Sequence, residues 1–221
     1  HIFTFEYGLI GGAAIDKTGT ALPEETLDLC KKVDAILFGA IGEPKYNNDT
    51  AAKVRPEQGL LGLRKELDLF ANIRPVIAYE DLLNHSPLKK KKIKDANIVI
   101  YRELSSGIYY GEKKLSDDGN TASDICEYTR FEIERIAHLA FKAAQSRKGK
   151  LNPRQFDVIL TENMFGDILS EEASVIVGSI GLLASASLGP KYAMFEPIHG
   201  AYSKATDKGI ANPIAAILAT A

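Results

Sequence analysis

Asp157-Val158-Ile159-Leu160-Thr161-Glu162-Asn163-Met164-Phe165-Gly166-Asp167-Ile168-Leu169-Ser170-Glu171 joins two kinds of pattern in one short stretch. The apolar run at its start reads as a buried strand, and from Asp167 to Ile176 the spacing reads as a helix. A strand that turns into a helix start sets polar side chains at the carboxyl edge of a sheet, where open α/β folds place their sites. A helix beginning near Asp167 puts Asp167 and Glu171 at i and i+4, on one face and about one turn apart. Two such carboxylates suit a hard divalent cation, Mg²⁺ or Mn²⁺. An acidic first turn stabilised by the helix dipole accounts for the same two residues.

The elements before this stretch supply the rest of an α/β order. Phe3 to Ile10 alternates with period two and predicts a strand, ended by Gly11-Gly12. Pro23 opens a helix over Glu24–Val33, acids first and lysines last, and Ala35-Ile36-Leu37-Phe38-Gly39 reads as a parallel strand buried on both faces. The loop Gly39–Lys45 carries glycines but not GxGxxG, and no such fingerprint occurs in the chain, so a Rossmann dinucleotide site is unsupported. Leu60, Leu63, Leu67 and Phe70 predict a helix over residues 59–70, with Leu61 and Arg64 off the centre of its stripe. Pro75 turns the chain toward a strand, and Asn97–Glu103 reads as another.

Lys89–Lys94 reads as a solvated face, and the polar stretch to Ser123 as an exposed arm. Thr129 and Glu132 form a capping box before the stripe Ile133, Ile136, Ala137, Ala140, Phe141 and Ala144. Residues 178–190, rich in Gly, Ala and Ser, read as turns, and Ile214–Ala221 as a helix.

The composition, 45% apolar and 25% charged over 221 residues, is that of an ordinary globular protein with room for a substantial core. A net charge of -2 gives no global electrostatic case for nucleic acid or an anionic membrane. Cys30 and Cys126 lack metal-type spacing and are expected as reduced thiols. No apolar run approaches the roughly 20 residues of a membrane span, and no signal-peptide pattern opens the sequence, so a cytoplasmic location is expected.

Arg64, Arg74 and Arg102 fall at the ends of predicted elements, and three guanidinium forks suit a small di- or tricarboxylate. Around them lie the ordered motifs Gly59-Leu60-Leu61-Gly62-Leu63-Arg64-Lys65, Phe70-Ala71-Asn72-Ile73-Arg74-Pro75, Arg102-Glu103-Leu104 with Gly107-Ile108-Tyr109, Thr161-Glu162-Asn163 with Phe165–Ser170, Ser185-Ala186-Ser187-Leu188-Gly189 and Glu196-Pro197-Ile198-His199-Gly200. Together they resemble the isocitrate/isopropylmalate dehydrogenase family of metal-dependent β-hydroxyacid oxidative decarboxylases, over essentially the whole chain. The resemblance implies a two-domain α/β fold with a mixed sheet. Residues 1–70 and 178–221 would form a larger cofactor-binding domain, and 71–177 a smaller substrate and dimerisation domain.

By this similarity the activity is NAD-dependent oxidative decarboxylation of 3-isopropylmalate in a homodimer with shared sites. Arg64, Arg74 and Arg102 would hold the malate carboxylate, Leu60 and Leu61 would face the isopropyl group, and Tyr109 would act as general acid. Asp167 and Glu171 would hold Mg²⁺ or Mn²⁺, and His199, Gly200 and Asn212 would line the adenine pocket.

The sequence also departs from the family pattern. The opening strand with its Gly-Asp-Gly-Ile-Gly-Pro-Glu loop and a region beyond Ala221 have no counterpart. Between about Lys150 and Leu151 the family carries a segment with a catalytic lysine, a third metal-binding aspartate and much of the dimer interface. Glu171 stands where the family has Asp, and Lys204 falls near the aspartate that NAD-using members set against the adenosine ribose, where a lysine favours a 2'-phosphate. These departures motivate two alternatives: a non-catalytic regulatory subunit of the same fold, and a sibling enzyme acting on isocitrate, homoisocitrate or tartrate.

Overall fold

Burial of sheet faces under helices organises the chain, and the computed structural model describes residues 3–47, 54–147 and 157–221. The elements run α1 (Gly12–Thr18), α2 (Glu24–Cys30), β1 (Ile36–Leu37), α3 (Pro44–Asn47), α4 (Pro56–Glu66), β2 (Ala71–Ile77), α5 (Lys90–Ile93) and β3 (Asn97–Glu103). They continue with β4 (Lys113–Leu115), β5 (Ala122–Asp124), α6 (Arg130–Ser146), β6 (Val158–Thr161), α7 (Asn163–Glu172), α8 (Ser174–Val177), β7 (Ala184–Leu188), β8 (Ala193–Pro197) and α9 (Ile214–Thr220).

Six strands form one mixed sheet in the order β1-β8-β7-β2-β3-β6, with β1/β8 and β3/β6 parallel and the other pairs antiparallel. Residues 1–70 and 178–221 supply β1, β8 and β7, and residues 71–177 supply β2, β3 and β6. Cys30, Phe38, Leu63, Leu67, Leu69 and Met194 form one buried cluster under α2 and α4. Phe70, Ala71, Tyr101, Ile136 and Ala140 form a second, where α6 covers β3. Val76, Ile100, Val177, Leu183 and Ile198 form a third, which draws on both groups of residues.

Local chemistry explains the best-defined ends. Thr129 Oγ1 accepts from the Glu132 amide at 3.3 Å, and Glu132 Oε2 accepts from the Thr129 amide at 2.7 Å, so the capping box fixes the start of α6. Pro56 occupies the first turn of α4, where its missing N–H costs nothing. Lys90–Ile93 form a short helix whose lysines face solvent, and β4 with β5 is an exposed hairpin within the polar arm.

Five expectations are corrected. Phe3–Ile10 is not a strand: Phe3, Phe5 and Tyr7 are exposed, and no described strand lies beside them to satisfy their backbone groups. The chain after Gly11 is a helix, α1, and not simply a strand end. The run from Ala35 is not buried on both faces, because β1 is a two-residue edge strand with Leu37 54% exposed. Residues 184–188 are a central strand, not turns, held between β2 and β8 with Ser185 and Ser187 buried. In α6 only part of the apolar stripe is covered, since Ile133 and Phe141 are exposed while Ile136 and Ala140 are buried. The junction at Lys150–Leu151 lies outside the described residues.

Candidate active site

The three arginines rise from different elements onto one side of the sheet. Arg64 lies near the end of α4, Arg74 on β2, and Arg102 on β3 directly across from Asn72. All three are buried, at 7%, 5% and 3% exposure. A buried guanidinium needs partners. Arg64 Nη2 donates to Glu196 Oε1 at 3.0 Å, Arg74 Nη1 donates to Asp167 Oδ1 at 3.0 Å and to Ser170 Oγ at 2.5 Å, and Arg102 Nη1 donates to the same Asp167 oxygen.

Asp167 therefore sits at the centre of the site. Its Oδ2 accepts from the Tyr109 hydroxyl at 3.0 Å, and the Tyr109 ring lies 5.6 Å from the Arg102 guanidinium. Helix α7 begins at Asn163, capped by the Glu162 side chain on the Phe165 amide, so Asp167 is past the first turn. The reading of Asp167 and Glu171 as an acidic first turn is thereby set aside, while their i, i+4 relation stands. Gly166 is what lets α7 approach: a Cβ there would meet Arg102 Cγ and Thr161 Cγ2, each at 2.7 Å.

The electrostatics follow from this crowding. Burial lowers the Arg74 pKa, opposed by the Asp167 charge, and the neighbouring Arg64 lowers it further. Burial and then the nearby Arg74 bring Arg102 down to about 10. Burial pushes the Asp167 carboxyl up, but the Arg102 and Arg74 charges outweigh it and hold the group below the usual carboxylate range. Burial followed by the Asp167 charge raises the Tyr109 phenol, which keeps it protonated as a proton donor must be. The three guanidinium groups are matched by three carboxylates, the paired Asp167 and Glu196 and the nearby Glu171, so any pull on an anionic ligand comes from guanidinium donors rather than from a net charge.

Glu171 is exposed and, among the described residues, makes no hydrogen bond or ion pair. Its charge nonetheless raises the Tyr109 phenol, so it faces the same space. No third His, Cys, Asp or Glu joins the pair among the described residues. The donor set still fits Mg²⁺ or Mn²⁺, since Mg²⁺ commonly takes only one or two carboxylates and fills its octahedron from substrate and water.

Leu60 and Leu61 precede Arg64 by one helical turn, both half-buried, with Leu60 packed partly on the first core cluster. His199 Nδ1 lies 3.0 Å from the Gly200 carbonyl oxygen in the segment after β8. The adjacent Ala201 amide donates to the Ile41 carbonyl at 2.9 Å, which brings the Gly39–Lys45 loop against that segment. A Cβ at Gly200 would lie 3.4 Å from the same carbonyl, so the backbone there is open to close approach. Asn212 lies just before α9, where its Oδ1 accepts from the Ile214 amide at 3.1 Å, and its Nδ2 would meet a Cβ at Gly181 at 3.1 Å.

Several partners were not evident from the sequence. Asn163 is buried and bridges three elements: Oδ1 accepts from Arg102 Nε at 3.0 Å, Nδ2 donates to the Ser106 carbonyl at 2.9 Å, and its amide donates to the Tyr128 hydroxyl at 3.0 Å. Gly107, at φ +82°, makes the turn that carries Tyr109, and a Cβ there would fall 2.1 Å from that same hydroxyl. Asn72 was the one with a readable signal, because i, i+2 spacing from Arg74 in a strand puts both on one face.

The sequence matches the profile of the isocitrate/isopropylmalate dehydrogenase family over residues 1–152 and 148–221. It is 46% identical over 269 residues to the 3-isopropylmalate dehydrogenase of Heyndrickxia coagulans and 44% identical over 267 residues to that of Aquifex aeolicus. These matches cover 100% and 99% of the chain, and 73% of each relative. An alignment of 269 positions on a chain of 221 residues leaves 48 positions without a counterpart, and the two stretches of the family match meet at residues 148–152. The segment missing near Lys150–Leu151 is therefore a departure from these relatives too.

Among solved structures, isocitrate dehydrogenase from Methylococcus capsulatus superposes with a TM-score of 0.81 at 29% identity, covering 96% of the chain and 73% of that structure. A β-decarboxylating dehydrogenase from Thermococcus kodakarensis gives 0.71 at 32% identity, covering 98% and 72%. The mixed sheet, the arginine and carboxylate cluster and these full-length similarities lead to one assignment: the chain belongs to the isocitrate/isopropylmalate dehydrogenase family.

Proposed function

We propose that the protein oxidises 3-isopropylmalate with a nicotinamide cofactor and decarboxylates the product to 4-methyl-2-oxopentanoate, a step of leucine biosynthesis. The observation that carries this reading is the meeting of Arg74, Arg102 and Tyr109 on the single carboxylate of Asp167. Arg64, Arg74 and Arg102 would hold the malate carboxylate through their guanidinium donors. Leu61, half-buried and outside the three core clusters, offers apolar surface for the isopropyl group beside Leu60. Asp167 and Glu171 would hold the divalent cation, which would supply Lewis-acid polarisation of the substrate oxygen, and the nicotinamide would serve as hydride acceptor. Tyr109 then delivers its proton to the carbon left by loss of carbon dioxide.

Residues 1–70 with 178–221 would carry the cofactor, His199, Gly200 and Asn212 lining the adenine, and residues 71–177 the substrate and the dimer contacts. Phe165, Ile168 and Leu169 leave an apolar face of α7 about half exposed, as an interface between two copies requires. The segment absent near Lys150 would hold the lysine that takes the hydroxyl proton and the third acidic ligand. No helix among the described residues is long and apolar enough to cross a membrane, and a cytoplasmic location accords with a biosynthetic role.

A second reading concerns the cofactor. Lys204 is exposed and makes no ion pair among the described residues, so it is available to a 2'-phosphate. Preference for NADP over NAD is then expected to fall at least about tenfold in Lys204→Asp, read as the ratio of the two kcat/KM values. An unchanged ratio would remove the residue from cofactor choice.

The experiment for the function itself compares kcat/KM for 3-isopropylmalate, isocitrate, homoisocitrate and tartrate, on the protein carrying the family segment, with metal and either cofactor. 3-Isopropylmalate is expected to lead. Preference for another acid would assign the protein to a sibling activity, and inactivity on all four would leave the regulatory subunit.

A further inference from the structure

The Ser185-Ala186-Ser187 motif has no part in the chemistry described above, yet its strand is buried at the middle of the sheet beside Asn72. Asn72 is 0% exposed and pairs with Ser187 across β2 and β7. Its Nδ2 lies 2.7 Å from Ser185 Oγ, 3.2 Å from Ser187 Oγ and 3.3 Å from the Ala186 carbonyl oxygen. A carbonyl only accepts, so this edge of the amide must be the donor. The opposite edge, Oδ1, then accepts from Arg74 Nε at 2.6 Å. A flipped amide would set its NH₂ against the guanidinium, donor against donor, and leave the Ala186 carbonyl facing an oxygen.

We infer that Asn72, locked in one orientation by Ser185 and Ser187, is the positioning residue for Arg74. The guanidinium is fixed along two edges, by Asn72 at Nε and by Asp167 with Ser170 at Nη1, while Nη2 has no partner among the described residues. The two edges differ in permanence. Asp167 is shared with Arg102 and Tyr109 and is the group a ligand or cation engages, so its hold on Arg74 changes with occupancy. Asn72 is sealed inside the sheet, out of reach of a ligand, and holds the Nε edge. The serines belong to the residues proposed for the cofactor domain, so the relay also fixes a substrate-binding arginine to the other half of the sheet.

This inference rests on the reading of Arg74 as a carboxylate ligand, and its test separates the two. Nitrogen-15 NMR of the Arg74 Nε–H gives a readout independent of turnover. Exchange with solvent is expected to accelerate about tenfold or more in Asn72→Ala and in the Ser185→Ala/Ser187→Ala double variant. Asn72→Asp, whose carboxylate accepts from Nε–H and from both hydroxyls while giving up the contact with the Ala186 carbonyl, restores slow exchange relative to Asn72→Ala. In Asn72→Ala and the double serine variant, each made in the protein carrying the family segment, the KM for the hydroxyacid rises roughly tenfold, a misplaced binding group being costly, while the KM for the nicotinamide cofactor stays within about twofold. Unchanged exchange in the double serine variant overturns the inference, as does a parallel rise of both KM values. Altered exchange in variants whose segment-bearing parent turns over no hydroxyacid upholds the positioning and overturns the proposed function.

Discussion

Asp167→Asn is expected to abolish turnover and to weaken the fold together, because one carboxylate serves two buried guanidinium groups and a phenol. The neutral amide retains the shape but turns half of the acceptor into a donor, which then faces Arg74 or Arg102 or Tyr109. Loss of one partner from a buried ion pair costs about 3–5 kcal/mol, and the lower end applies because the Asp167 side chain is 28% exposed. Denaturant unfolding monitored by circular dichroism should therefore show a loss of about 3 kcal/mol. Removal of an electrostatic stabiliser alone lowers kcat about 10²–10³-fold, and the loss of a metal ligand adds to this. The stability effect carries a pH signature. The Asp167 carboxyl is held below its ordinary pKa in the fold, so its contribution is fully present above that ordinary value and disappears as the pH falls through the lower folded one. The gap between the parent and Asp167→Asn should close in that acid window. A constant gap down to the acid transition would show that the charge on Asp167 is not what stabilises the cluster.

Tyr109→Phe, made in the protein carrying the family segment, is expected to lower kcat about 10²–10⁴-fold while leaving the KM for the hydroxyacid nearly unchanged. The arginines that hold the carboxylates do not depend on the phenol, which contacts Asp167 from the side opposite their shared oxygen. Because burial and the Asp167 charge raise the phenol above the tyrosine range, the parent enzyme should keep its proton donor through neutral and mildly basic pH. The loss should therefore be of similar size across that range. Single-turnover measurement locates it: cofactor reduction in the first turnover should survive better than release of the decarboxylated product. A variant slowed equally in both steps would move Tyr109 from proton donor to a general support of the site.

The sequence made some parts of this site legible and hid others, for physical reasons. Asn97–Glu103 and the capping box of α6 are read from local pattern, and local pattern is what forms them. The arginines could be named because guanidinium groups at element ends have few uses inside a fold. The strand Ala184–Leu188 was hidden because Ala and Ser have little β preference of their own; neighbours on both sides and the Asn72 contacts impose the strand. Phe3–Ile10 fails in the opposite way, its alternation suiting a strand for which no described partner exists. Asn163 carries no signal at all, since its three bonds reach residues distant in the chain. Asp167 and Glu171 fall one turn apart on α7, as their spacing indicates, but the contacts of Asp167 with Arg74, Arg102 and Tyr109 come from elements far apart in the chain.

On the function proposed above, the chain carries part of a substrate-binding site whose remaining groups would lie in a segment near residues 148–152, where the two stretches of the family match meet. The most direct test is cofactor reduction with 3-isopropylmalate and Mn²⁺, measured on the 221-residue polypeptide and on the same polypeptide with the family segment inserted between Lys150 and Leu151, each with and without chelator. The result expected is no turnover from the first and chelator-sensitive turnover from the second. Equal turnover from both, or turnover indifferent to chelator, would contradict a half-site completed by that segment and a metal.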